Sequence, residues 1–337
     1  MNSSRLFRRL AWTATALTLV VIVAGAWVRL THAGLGCPDW PGCYGMVTWP
    51  KTPEHIETAT REFSQHTGAR AVDSGKAFRE MFHRYVAGIL GFLILALAVI
   101  AWRDRRRFPG HPVALPGAIL ALVIFQAMLG MWTVTLLLKP AIVTAHLIGG
   151  MSTFLLLLWL SLRVTPRTGR VSLPARAQAL PIVVVLAVIA VQVVLGGWVS
   201  TNYAALACTG FPTCSGQWWP EMNFSEGFRI WRGVGVDYEG GVLDPAARNA
   251  IHMVHRIWAV AVVGAFAWLF WRLWRVEELR TPVLLTGLIL VVQIVLGITN
   301  VVAGLPLANA VAHNGVAALL LGGMVLMLER TRQREAS

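Results

Sequence analysis

The sequence predicts an all-α integral membrane protein: eight transmembrane helices in two pseudo-symmetric four-helix bundles, written as a parallel repeat. Three observations predict it. The 337 residues are 56% hydrophobic and only 13% charged, with a mean hydropathy of +0.62, whereas a soluble chain of this length needs far more surface charge. Eight apolar runs of about 20 residues, the length that crosses a bilayer as a helix, follow one another along the chain. The last four of these runs rewrite the first four.

The first run, 11–29, follows a basic start and ends near AGA, a pattern shared with cleaved secretory signals. Its counterpart in the fifth run argues that it is retained as a helix. A long outer loop near 30–80 leads to the second run, 82–102, which opens on FHRYVAGILGF. The third and fourth runs, 113–138 and 141–162, contain QAMLGMWTVTLLLKPAIVTAHLIGG. The fifth, 179–200, ends in GGWVSTNYAALACTGFPTC, matching GAWVRLTHAGLGCPDWPGC after the first. A second long loop, near 201–250, precedes the sixth run, 251–272, with VHRIWAVAVVGAF. The seventh and eighth, 281–303 and 309–328, contain QIVLGITNVVAGLPLANAVAHNGVA. Continuous rather than alternating apolarity selects helices over a β-barrel. The expected halves are 1–170 and 171–337, related by an axis along the membrane normal, since four helices repeated as four keep their orientation.

A net charge of +13 would suit nucleic acid, but its placement excludes that reading. Seventeen of the 29 Lys/Arg, with only five of the 16 acids, fall in the termini and in the connections after the second, fourth and sixth runs. This is the positive-inside pattern. It expects both termini in the cytoplasm of a bacterial-type inner membrane, with the lipid bilayer as the partner of the basic residues.

That topology brings four histidines to one depth. His83 and His255 stand near the outer starts of the second and sixth runs; His146 and His313 stand about one turn into the fourth and eighth. A lone intramembrane histidine is as readily a packing residue as a ligand. Four at matched positions point to function, because a polar ring in hydrocarbon needs a partner. Two facing imidazoles suit six-coordinate heme iron in an apolar four-helix interior, and zinc would need further ligands. Gly88, Gly91, Gly149, Gly150 and Gly315 read either as close helix packing or as room for a flat ring. Arg84 and Arg256 follow two of the histidines and read either as forks for heme propionates or as cations reaching to headgroups. His32, His55, His66 and His111 read as ordinary surface residues.

Each outer loop carries one C-x5-C pair, Cys37/Cys43 and Cys208/Cys214. Without Cys-x-x-Cys-His, covalent heme attachment is not expected. The pairs suit short-loop disulfides in an oxidising compartment, with structure favoured over redox exchange. The halves differ upstream of the first histidine: Glu80-x-x-His83 in one, His252-x-x-His255 in the other. Residues i and i+3 share a helix face, so Glu80 is the candidate acid or base; the competing reading is a salt bridge to Arg79, Arg84 or Arg29.

Together E-x-x-H-R, H-R, the two later histidines and GLGCPDWPGC resemble the heme A synthase family over essentially the whole chain, in its cysteine-containing type. The resemblance implies a membrane oxidoreductase that converts the C8 methyl of heme O to a formyl group, giving heme A for cytochrome oxidase. It implies Glu80 as the catalytic residue, His83 and His146 as ligands of the substrate iron, and His255 and His313 as ligands of a heme b that transfers electrons. Heme O synthase and an electron donor that no residue here identifies are the partners implied, and an oligomer is compatible with the sequence. The competing functions are a bis-histidine cytochrome b acting only in electron transfer and a heme or metal transporter.

Overall fold

A computed structural model describes residues 4–63, 71–106, 112–166 and 171–332; His66 and His111 lie outside them. The order is α1 (Arg5–Leu30), α2 (Pro53–Phe63), α3 (Ser74–Asp104), α4 (Ala114–Thr135), α5 (Pro140–Val164), α6 (Leu173–Arg176), α7 (Ala179–Thr201), α8 (Phe224–Gly227), α9 (Pro245–Leu273), α10 (Glu277–Val302) and α11 (Leu307–Arg330). Eight helices are long and apolar enough to cross a membrane, the fifth span running from Leu173 to Thr201. Large apolar side chains remain exposed on them, Phe92 at 75% and Val260 at 72% among them. Such a surface suits lipid rather than water.

The helices outrun the apolar runs at their outer ends. α3 begins at Ser74, where the Asp73 side chain accepts the Lys76 N–H, and α9 begins at Pro245, where Asp244 accepts the Ala247 N–H. N-capping by aspartate, with proline at the first helical position of α9, sets these starts. Hydropathy does not register such polar turns. His83 and His255 therefore lie well inside their helices rather than near the starts.

α1, α3, α4 and α5 pack as a closed ring, each on the next, and α7, α9, α10 and α11 form a second one. The rings join where α1 and α5 meet α11 and where α5 meets α7. Close approach there uses small residues: a Cβ on Gly197 would stand 2.8 Å from Leu147, and one on Gly315 would stand 3.1 Å from Val23. The apolar cores occupy one end of each ring. Phe7, Ala11 and Ala14 pack with Leu90, Ile94, Leu97, Leu157 and Leu160 in the first. Ile182, Val185, Phe266, Leu269, Val283 and Met324 pack together in the second. The histidines sit toward the other end.

The two outer loops start alike. Disulfides join Cys37 to Cys43 and Cys208 to Cys214. Each closes beside a two-residue bridge, Cys43 with Met46 and Cys214 with Gln217. Closing so short a loop stabilises by about 2–3 kcal/mol in the chain-entropy model.

Candidate functional site

Each of the four histidines lies against a glycine of the neighbouring helix. A Cβ on Gly25 of α1 would stand 3.0 Å from Cε1 of His83, and one on Gly130 of α4 would stand 3.4 Å from that of His146. Gly196 of α7 and Gly297 of α10 stand in the same relation, at 3.1 Å, to His255 and His313. At Gly25, Gly196 and Gly297 a Cβ would press on the ring, which would have to shift by a few tenths of an ångström, whereas at Gly130 it would come only to van der Waals contact. His83 and His146 are close enough to interact electrostatically, as are His255 and His313.

One polar residue recurs four positions before the notch glycine, on the same helix face. Gln126 donates to the His146 carbonyl at 2.8 Å. Gln192 donates to the His255 carbonyl at 3.1 Å and lies 3.4 Å from its Nε2. Gln293 lies 3.3 Å from Nε2 of His313. α1 alone has Val21 at this place. The sequence pairing of Gln126 with Gln293 thus extends to Gln192, which comparison of whole halves overlooks. Comparison of successive helix pairs reveals it: VIVAG, QAMLG, QVVLG, QIVLG.

In all four histidines Nδ1 is enclosed by protein, which leaves Nε2 as the nitrogen an iron would take. One pair of imidazoles in each ring of helices is the ligand number that two six-coordinate porphyrin irons require. Gly88 is exposed, and a Cβ there or at Gly91 would meet nothing within 4 Å, so neither serves packing. Gly149 and Gly315 instead serve packing, the first leaving no room for a Cβ beside the Gln126 side chain. The residues present fit a heme in each ring of helices.

Glu80 is 5% exposed. Its Oε2 accepts the Cys37 N–H at 2.9 Å and its Oε1 accepts from Arg84 at 2.5 Å. The carboxylate is thereby fixed to the floor of the first disulfide loop, one turn from His83. Gly36, just before Cys37, makes this approach feasible, since a Cβ there would stand 2.7 Å from the Lys76 carbonyl carbon. In the other half His252 is 4% exposed and its Nδ1 lies 2.8 Å from the Ala204 carbonyl.

Arg84 and Arg256 are not free forks. Arg84 donates to the carbonyls of Asp39, Pro41 and Gly42. Arg256 donates to those of Cys208, Gly210 and Thr213. Both guanidiniums hold their disulfide loops through these carbonyls. The loop carbonyls would otherwise lack donors, a requirement that residue spacing does not reveal.

Between the rings, Arg29 lies 4.1 Å over the Tyr203 ring and donates to the Ser200 carbonyl. His32, exposed as expected of a surface residue, stacks on Tyr203 with centroids 5.7 Å apart. His55 is exposed on α2.

The family model described as cytochrome oxidase assembly protein matches residues 8–325. The heme A synthase of Shewanella oneidensis is 44% identical over 305 residues, 90% of this chain and 90% of that one. The heme A synthase of Rhizorhabdus wittichii is 30% identical over 328 residues, covering 92% and 89%.

Proposed function

Because this chain belongs to the cytochrome oxidase assembly protein family that includes heme A synthases, we propose that its four-histidine centre serves the oxidation of heme O to heme A. The protein is a multi-pass membrane oxidoreductase. In this reading the N-terminal half, 1–170, takes heme O between His83 and His146, and the C-terminal half, 171–337, holds heme b between His255 and His313. The pairing of one histidine from each of two helices and the glycine notches beside them support both placements. Heme b, when bound, supplies one-electron transfer. The basic connections support cytoplasmic termini in an inner membrane, with the disulfides on the opposite side.

The observation that carries the assignment of the halves is the environment of Glu80. Turning a methyl into a formyl group exchanges two carbon-bound hydrogens for one oxygen over two successive oxidations, so the protons that leave the reacting carbon need an acceptor beside it. A carboxylate one turn from His83, immobilised by the Cys37 amide and Arg84, is placed to accept them. His252, at the matching place, offers no carboxylate. Arg84 fixes the carboxylate's orientation, and the small, closed disulfide loop keeps the Cys37 amide where Glu80 meets it.

Glu80→Gln tests this. The variant keeps the Cys37 contact and both pigments, and its extracted heme, separated by chromatography, contains heme O with at least about a hundredfold less heme A, the contribution expected of a positioned proton acceptor. Heme A at the normal yield would remove Glu80 from the reaction.

A further inference from the structure

Arg84 and Arg256 donate to loop carbonyls, and two other cations of the first half have a buried nitrogen that makes no hydrogen bond. Lys139 is 1% exposed and its Nζ makes no hydrogen bond. Arg79 has a buried Nε without a partner. Lys139 precedes His146 by seven residues, close to two helical turns, which places it about 10 Å outward on nearly the same face. Arg79 precedes His83 by four, one turn outward on the histidine's face of α3. The two helices that carry the ring pair thus each carry a cation above it.

Neither has a counterpart in the second half. By the register of the histidines, Arg79 corresponds to Ile251 and Lys139 to Pro306, the residue that precedes α11. The halves do share a basic residue two turns above the α3 and α9 histidines, Lys76 and Arg248. The first half therefore has two cations beyond the common pattern. The second half also covers one of them: Trp231 of its outer loop places its ring 3.4 Å from Lys139 Nζ. That loop is fixed in place by the Tyr238 N–H, which donates to the Leu137 carbonyl at 3.1 Å. An aromatic face offsets part of the cost of a buried ammonium, but leaves its donors unsatisfied.

We infer that Lys139 and Arg79 grip the carboxylate arms of heme O, beneath a roof that the other half supplies at Trp231. A buried lysine without an acceptor needs an anion. The anion that belongs two turns above a porphyrin iron, on its outer side, is the propionate. This rests on the heme reading of the first half and assigns what orients the substrate there. The contact is made by unreacting arms of the molecule, so it sets binding and alignment rather than chemistry.

The test compares heme O with its dimethyl ester, which keeps the ring and loses the charges. Each is titrated by absorbance into the purified full-length protein with its second-half pigment in place. Wild type binds the free acid about tenfold or more tightly than the ester, the strength of a charge-assisted hydrogen bond. Lys139→Met loses most of that preference while its ester affinity stays within about twofold; Lys139→Arg retains it; Arg79→Gln weakens it. If Lys139→Met keeps the wild-type ratio, or weakens acid and ester equally as a purely structural lock between the halves would, the inference is overturned. If wild type binds neither form while His255 and His313 still hold pigment, the heme reading of the first half falls with it.

Discussion

A single absent methyl decides where a ring can sit in this protein. Gly297 adds no atom where a Cβ would stand 3.1 Å from His313. Gly297→Val should displace the imidazole and cost retained second-half pigment about tenfold, within the range of overpacking penalties. Gly88→Ala, with nothing within 4 Å of the new carbon, should leave the pigment spectrum unchanged; absorbance of the two purified variants checks the pair. At this scale the sequence disclosed the four histidines as a matched set, because duplication marks their positions. It did not disclose the notches, since a helical glycine looks the same whether it faces a ring, a glutamine or lipid. The acceptors of Arg84 and Arg256 were hidden for a related reason. They are backbone carbonyls such as those 45 and 48 residues away, and carbonyls carry no residue signature.

Among the elements, the two disulfide loops are built alike but hold different things. The first holds Glu80 through the Cys37 amide, while the second meets no carboxylate there and has His252 beneath it. Replacing Cys37 and Cys43 together with serine, or Cys208 and Cys214 together, should lower stability by a similar amount, about 2–3 kcal/mol, seen as a fall in thermal midpoint. Only the first replacement should also depress heme A yield. Equal yields from the two would separate the loop from the carboxylate. Helix existence was legible from apolar length alone, and every expected span is present. The outer helix starts were not, because Asp73 and Asp244 cap polar turns that hydropathy windows pass over. The break between α4 and α5 is wider than composition suggests. Leu137 and Leu138 turn the chain at φ of 50° and 59°, a left-handed conformation that leucine rarely adopts, and their apolar side chains hid the turn inside the third run.

For the whole molecule, the proposed heme in each ring of helices predicts that the two pigments are lost separately. His255→Ala should remove the second-half b-type absorption and leave heme O binding in the first half within about threefold. Loss of both pigments together would mean that the rings do not hold their ligands independently. Extracted hemes identified by mass, from this variant and from His146→Ala, check the separation. The parallel repeat was legible from the aligned tryptophans, cysteines and histidines. What crosses between the halves was not. Tyr203 beneath Arg29, and Trp231 above Lys139, join residues far apart in the chain, and no local pattern announces such pairs.

The amide of Tyr238 resting on the carbonyl of Leu137 has a further consequence for how the chain can be divided. Cutting the connection between α5 and α6 would yield unequal fragments. The upstream piece would enter the bilayer with its four helices but an uncovered outer mouth, while the downstream piece would keep its own ligands and carry a cover with nothing beneath it. Reconstituting the two should therefore restore substrate capture before it restores anything in the downstream fragment.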